Sequence, residues 1–359
     1  MKFSEGLIEI FVPIYLYQLE YSIQKIILYY FLVSLYFVLF SVWGAKIVSK
    51  IGAKHSILLS TPFLALYYLG LNFISYSNII FIILPLILSL RTILYNYGFH
   101  LNYIEHSNAS TRGKELSSLG ILTNISTAIA PILAGFIIIY YGFNVLFVIG
   151  FFILLLSTLP LFMTKDIHKE IKISSKSIFK YVTKKENRPR ILSFSGYAIE
   201  SIIERTIWPI FLLLILVATE KVGALIGFTL LISIITFYYI GGKTDQQTKS
   251  KLIKSGTFLY FISWIGKILA HNPFGVFVAD LYKNITQKLL YTPWSAKSYN
   301  MALKEKYFNF IVTREIIFNL SRVIVLPIIM IIFYIDFLPF VSTFLIAAIS
   351  TLLYPLLSK

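Results

Sequence analysis

Glu5 and Glu9 stand four residues apart, and so do Glu200 and Glu204, with Trp208 one turn further along. Arg91 and Tyr95 repeat the interval, with Asn102 continuing their side, and Asp280, Asn284, Gln287 and Tyr291 form a longer polar stripe flanked by Lys283 and Lys288. On a helix, residues four apart share a face. Carboxylates held in a medium of low dielectric keep their protons more tightly, so Glu9, Glu200, Glu204 and Asp280 are candidates to carry protons near neutral pH. The same groups could bind a polar solute, or tie helices together as structural hydrogen bonds and ion pairs. The chain has no Walker loop, no His-Glu-x-x-His and no Gly-x-Ser-x-Gly, so it is expected to be no enzyme and to need no cofactor.

The elements that must position these groups follow from composition. Of the 359 residues, 57% are hydrophobic and 13% charged, and the mean hydropathy is +0.79. Soluble domains carry about a quarter charged residues, so a chain this apolar belongs in a bilayer. Apolar runs of helix length occur about twelve times. The first six are Phe3 to Leu19, Ile23 to Val48, Ser56 to Ser75, Ile79 to Tyr103, Leu116 to Tyr140 and Phe143 to Met163. The others are Ile191 to Ala218, Val222 to Ile240, Ser255 to Ala270, Phe274 to Met301, Phe308 to Tyr334 and Phe337 to Leu357. Lipid offers the backbone no partners, so these runs are helices rather than strands. A charge at bilayer depth costs about 3 kcal/mol or more and normally faces a bundle interior or an aqueous path. Glu5, Lys288 and Lys297 have a further option, to snorkel toward an interface. Arg314, Glu315 and Arg322 are expected to make packing contacts or pairs between helices, and His100 to be a satisfied polar residue rather than a metal ligand.

The net charge of +16 comes from bases in the short gaps between apolar runs, an arrangement unlike a nucleic-acid patch. Lys46, Lys50 and Lys54 follow the second run, Arg112 and Lys114 the fourth, Lys243, Lys249, Lys251 and Lys254 the eighth, and Lys304 and Lys306 the tenth. The opposite connectors carry little beyond Lys25 and Lys221. The positive-inside rule then puts both termini in the cytoplasm, and the chain is expected in the plasma membrane. Cysteine is absent, which excludes disulfides and thiol chemistry and says nothing about compartment. The longest connector, Thr164 to Arg190, is strongly basic. It reads either as a short amphipathic helix on anionic headgroups, through Ile171, Ile173, Ile178, Phe179 and Val182, or as a solvated linker.

Sliding the chain by 196 residues puts Pro13 on Pro209, Lys25 on Lys221, Tyr95 on Tyr291, Tyr103 on Tyr299 and Pro131 on Pro327. Identity at this offset is near background for so biased a composition. The matched prolines and the matched alternation of runs and basic gaps carry the repeat. It divides the chain into residues 1–163, a linker over 164–190, and residues 191–359.

The connector Ala45-Lys-Ile-Val-Ser49-Lys50-Ile51-Gly52-Ala53-Lys54 resembles the cytoplasmic loop signature of major facilitator transporters. Lys50, Gly52 and Lys54 fit it, while Ser49 replaces the acid. A second copy at Gly241-Gly-Lys-Thr-Asp245 keeps glycine and acid. Ala130-Pro131-Ile132-Leu133-Ala134-Gly135 is similar to a signature of drug/proton antiporters, with alanine for two of its glycines. Arg91 to Tyr103, with the basic loop after it, looks like the fourth span of compact prokaryotic members. The resemblance implies an all-α membrane protein of twelve transmembrane helices in two six-helix bundles. It implies a monomeric secondary transporter that moves a small solute by alternating access, with protons as a possible second partner. In that family the first, fourth, seventh and tenth spans line the central cavity, and on those spans the polar residues above are concentrated. A site would then draw on Glu9, Arg91, Tyr95, Glu200, Glu204, Trp208, Asp280, Gln287 and Tyr291. Two other readings stand beside it: a sensor or assembly subunit that transports nothing, and a membrane enzyme acting on lipid-linked sugars. The latter would need an acidic pair in a sizeable outward loop, where this chain has only Glu20 and Glu220.

At the same offset Met1 falls on Tyr197, whereas the seventh run begins near Ile191. The first helix thus lacks about one and a half turns and covers only about 25 Å at about 1.5 Å per residue. The repeat predicts a natural start upstream of Met1, the alternative being local thinning of the bilayer around a short helix. Intact mass of the protein expressed from its native locus is expected to exceed that of residues 1–359; equality would leave the short helix to explain.

Overall fold

The computed structural model describes residues 1–106, 111–162, 173, 175–246, 249–304 and 307–358. Ile171 and Lys306 lie outside the described residues, as do the side chains of Arg112, Phe179, Asp245 and Lys304. Among the described residues the secondary structure is helical throughout. The chain opens with α1 (Lys2–Ile8), α2 (Phe11–Gln18), α3 (Ile23–Leu71), α4 (Asn78–His106), α5 (Arg112–Leu156) and α6 (Leu159–Phe162). After the short α7 (Ser175–Thr183) come α8 (Arg188–Leu216), α9 (Thr219–Gln246), α10 (Lys249–Leu269), α11 (Pro273–Lys304), α12 (Tyr307–Ile335) and α13 (Pro339–Thr351).

Two of the longest elements are interrupted. Gly52 breaks α3 at φ +83° and Gly142 breaks α5 at φ +80°, a region open to glycine and strained for side chains. At Gly52 the chain doubles back, so that the Tyr29 hydroxyl meets that of Tyr67 at 3.2 Å. This explains why the loop signature carries a glycine at that position. Ser49, in place of the acid, donates to the carbonyl of Lys46 in its own helix at 2.8 Å. The first apolar run is also broken, between α1 and α2. Pro13 has no N–H to give to the Glu9 carbonyl, and the helical ladder loses its bond there.

Seven of the described helices are long and apolar enough to cross a membrane by length and composition alone. Neither α8 nor α11 is among them, although they run to 29 and 32 residues. Both carry charged residues in mid-helix. Large apolar side chains are exposed along the outside, among them Leu122, Phe136 and Phe152 on α5 and Ile235 on α9. In an integral membrane protein these are the side chains that lipid covers. The basic linker contains α7, and its apolar side turns inward: Ile178 is buried, and the Tyr181 ring packs edge-on to Phe310 of α12 at 6.0 Å.

The closest backbone approach joins α5 to α9. A Cβ on Gly223 would lie 2.2 Å from the Pro131 carbonyl oxygen, and one on Gly227 2.5 Å from that of Ala128. This small-xxx-small stripe lets two helices touch without side chains between them. Gly223→Leu is therefore expected to lower the melting temperature of the purified protein by several degrees, whereas Gly266→Ala, which meets nothing within 4 Å, leaves it unchanged. Equal melting of the two variants in detergent would contradict the packing.

Candidate functional site

A cavity of about 520 Å³ lies among α1, α2, α3, α4, α8, α9, α11 and α12. That is room for a small organic solute. Glu9, Arg91, Tyr95, Glu204, Trp208, Asp280, Gln287 and Tyr291 all line it. Glu200 does not. It faces away, accepting hydrogen bonds from Tyr260 at 2.5 Å and Tyr354 at 2.9 Å. Two carboxylates one turn apart on α8 thus serve different surroundings, because Glu200 meets the helix layer behind α8 while Glu204 meets the cavity.

Most of the cavity charge is paired, more often across helices than along them. Glu5 does not snorkel: it is buried, bound to Arg91 of α4 and to Lys2, the latter at 2.6 Å. The Arg91 guanidinium also covers the Tyr95 ring at 4.5 Å. On the other wall Glu204 takes Lys267 of α10 at 2.5 Å and Lys283 of α11 at 2.7 Å. Asp280 accepts from the Trp208 indole at 2.9 Å, the Thr229 hydroxyl at 2.5 Å and the Asn284 amide at 2.9 Å. Lys267 reaches Asp280 at 4.0 Å and lies over the Trp208 ring at 3.8 Å, so it is enclosed by two carboxylates and an indole face.

A third cluster joins the early helices to the late ones. The His100 ring of α4 meets the Tyr299 hydroxyl of α11 at 2.6 Å and Arg314 of α12 at 3.1 Å, and Arg314 pairs with Glu315 at 3.0 Å. The Asn96 amide reaches Glu315 at 3.4 Å. Other ties between early and late helices run from Gln18 to Thr219 at 3.1 Å and from Gln24 to the Phe333 carbonyl at 2.9 Å. Among the described residues lining the cavity, Glu9 is the one carboxylate whose side chain has no hydrogen-bond or ion-pair partner. Lys288 does not snorkel either; it is buried and donates to the Asn284 carbonyl at 3.2 Å. Lys297 is partly buried against Ser250 at 2.9 Å.

Arg205, Lys267 and Asn96 were not singled out from sequence. A signal for Arg205 was present: it sits in an apolar run, four residues before Pro209, as Glu9 sits four before Pro13. Lys267 gave little signal, because a lysine near the end of an apolar run reads as an interfacial residue.

No family model matches the chain, and no curated protein matches its sequence. Its structure matches that of the E. coli fucose:proton symporter with a TM-score of 0.71 at 12% identity, over 99% of this chain and 94% of that one. The chain shares the overall fold of that symporter, and the match speaks for the fold alone.

The Lys267 cluster makes a stability prediction. Lys267→Met leaves Glu204 with Lys283 alone and Asp280 with neutral donors only, and is expected to cost about 3 kcal/mol or more. Adding Glu204→Gln removes one of the under-compensated charges and is expected to recover part of the loss, read as apparent melting temperature in detergent. A double variant no more stable than Lys267→Met would mean that the pairing contributes nothing.

Proposed function

We propose that the protein is a secondary transporter that moves a small solute by alternating access and couples the movement to protons through Glu9. The observation that carries this reading is Glu9 itself, an exposed carboxylate at the break between α1 and α2, with no hydrogen-bond or ion-pair partner among the described residues, in a cavity whose other carboxylates are all bonded. A carboxylate already held by two lysines is poorly placed to exchange a proton during each cycle, whereas one facing an aqueous cavity can do so. A solved structure of like fold is that of a fucose:proton symporter, which agrees with a gradient as the energy source. The absence of a Walker loop points the same way.

The proposed architecture has twelve crossings in two bundles, over residues 1–163 and 191–359, joined by the basic linker. In it, α1 with α2 makes one crossing, and α3 and α5 make two each, divided at Gly52 and Gly142. The bundles rock about the cavity, which is occupied near the bilayer midplane. The basic connectors favour both termini in the cytoplasm, with the protein acting as a monomer in the plasma membrane.

Proteoliposomes with an imposed proton gradient, bathed in a small-metabolite extract, test this. At least one solute is expected to accumulate above protein-free vesicles. Glu9→Gln should abolish gradient-driven uptake and spare exchange, whereas Glu200→Gln, away from the cavity, should keep its proton dependence. Single cysteines near the two ends of α4 and α11 should respond oppositely to the transported solute. If no solute accumulates, the chain is a sensor or an assembly subunit and the transporter reading falls.

A further inference from the structure

Four guanidinium groups line the cavity, from Arg91, Arg205, Arg314 and Arg322. Two of them are neutralised, Arg91 by Glu5 and Arg314 by Glu315. Two are not. Arg205 of α8 is exposed to the cavity and has no hydrogen-bond or ion-pair partner among the described residues. Arg322 of α12 ties to α8 through Ser201 Oγ and to Asn319 Oδ1, both at 3.3 Å, and among the described residues its hydrogen-bond partners are these neutral oxygens alone. The carboxylates elsewhere in the cavity are committed: Glu5 to Arg91 and Lys2, Glu204 to Lys267 and Lys283, Glu315 to Arg314. Asp280 already accepts from three neutral donors. Only Glu9 is left to answer two guanidinium groups, so the centre of the cavity carries one positive charge in excess.

Unpaired charge at this depth is expensive, and a neutral solute would leave that cost standing. An anion removes it. Guanidinium is also the side chain whose planar fork fits carboxylate and phosphate oxygens, with two parallel hydrogen bonds. Glu9 and Arg205 are equivalent in the repeat, 196 residues apart, each four residues ahead of a matched proline. Opposite charges at equivalent positions let Glu9 compete with a bound anion for Arg205. Even if Glu9 takes Arg205 in some step of the cycle, Arg322 still has no carboxylate.

We propose that the transported solute is a small organic anion whose carboxylate or phosphate is bound by Arg205 and Arg322 together. This rests on the transporter reading above and narrows its substrate class.

The test uses the purified full-length protein and a small-metabolite extract split on an anion exchanger into a retained, anionic fraction and a flow-through of neutral and cationic solutes. Only the retained fraction is expected to raise the melting temperature and to accumulate in proteoliposomes. Treatment of that fraction with phosphatase separates the two sources: lost activity identifies a phosphate ester, and surviving activity a carboxylate. Arg205→Gln and Arg322→Gln should each raise the amount needed for half-maximal effect by about tenfold or more, while Arg→Lys at either position retains part of the response. Melting of the unliganded variants guards against misfolding, and the wild-type fractionation needs no variant. Accumulation from the flow-through alone would overturn the anion inference and leave the transporter reading standing. Folded Gln variants that respond like wild type would overturn the assignment to these arginines. Accumulation from neither fraction would remove the transporter reading and this inference with it.

Discussion

A charge at the depth of a bilayer needs an opposite charge or water, and this requirement places most of the polar side chains of the protein. Glu204 is the clearest case: one carboxylate on α8 holds a lysine from α10 and another from α11, at 2.5 and 2.7 Å. Three helices separated in sequence are thereby fixed around one point. Asp280 and Trp208 join the same point, so that a carboxylate and an indole ring close around the Lys267 ammonium. Glu5, Arg91 and Lys2 do the same for α1 and α4 on the facing wall. The pairs are structural, and by consuming most of the charge they make the few unpaired groups conspicuous.

The backbone obeys a parallel rule. Lipid accepts no hydrogen bonds from it, so departures from the helix must be confined to places where protein or water takes over. The breaks at Gly52 and Gly142 sit at turns, and the proline break between α1 and α2 borders the cavity at Glu9. Where α5 meets α9, glycines substitute contact between backbones for contact between side chains. With no hydrophobic force drawing helices together inside lipid, close packing of this kind and the buried ion pairs hold the bundle. Both are short-ranged and sensitive to single atoms, which is why a fold so apolar depends on a handful of small and charged residues.

Two of the helices that line the cavity are among those least like membrane spans by composition. α8 and α11 fall outside the helices apolar enough to cross by composition, and two of the polar stripes read from sequence lie on them. The charges that lower their hydropathy are the ones turned toward the cavity, so the shortfall in apolar character is itself a mark of the site. The same logic explains the linker helix, whose Ile178 is buried and whose Tyr181 packs against α12, so that its apolar side meets protein where lipid headgroups were one of the expectations.

Composition and periodicity alone determined that the chain is helical and lives in a membrane, because both follow from local burial and from the backbone's need for partners. They also found the stripes of Glu9, Arg91, Glu204 and Asp280, since charge in an apolar run is visible residue by residue. Which of these charges is free was not legible. Glu5 and Glu9 have the same spacing, type and setting in sequence, yet one is clasped by Arg91, 86 residues away, and the other faces the cavity unpaired. Glu200 and Glu204 divide in the same way, one between two tyrosines and the other between two lysines. Arg322 meets neutral oxygens on α8 and α12, while Arg314, two turns earlier on the same helix, pairs with Glu315. A residue's partners in a helical bundle lie on other helices, at separations that no local pattern encodes. Only the packed structure decides which charges cancel and which remain to meet a solute.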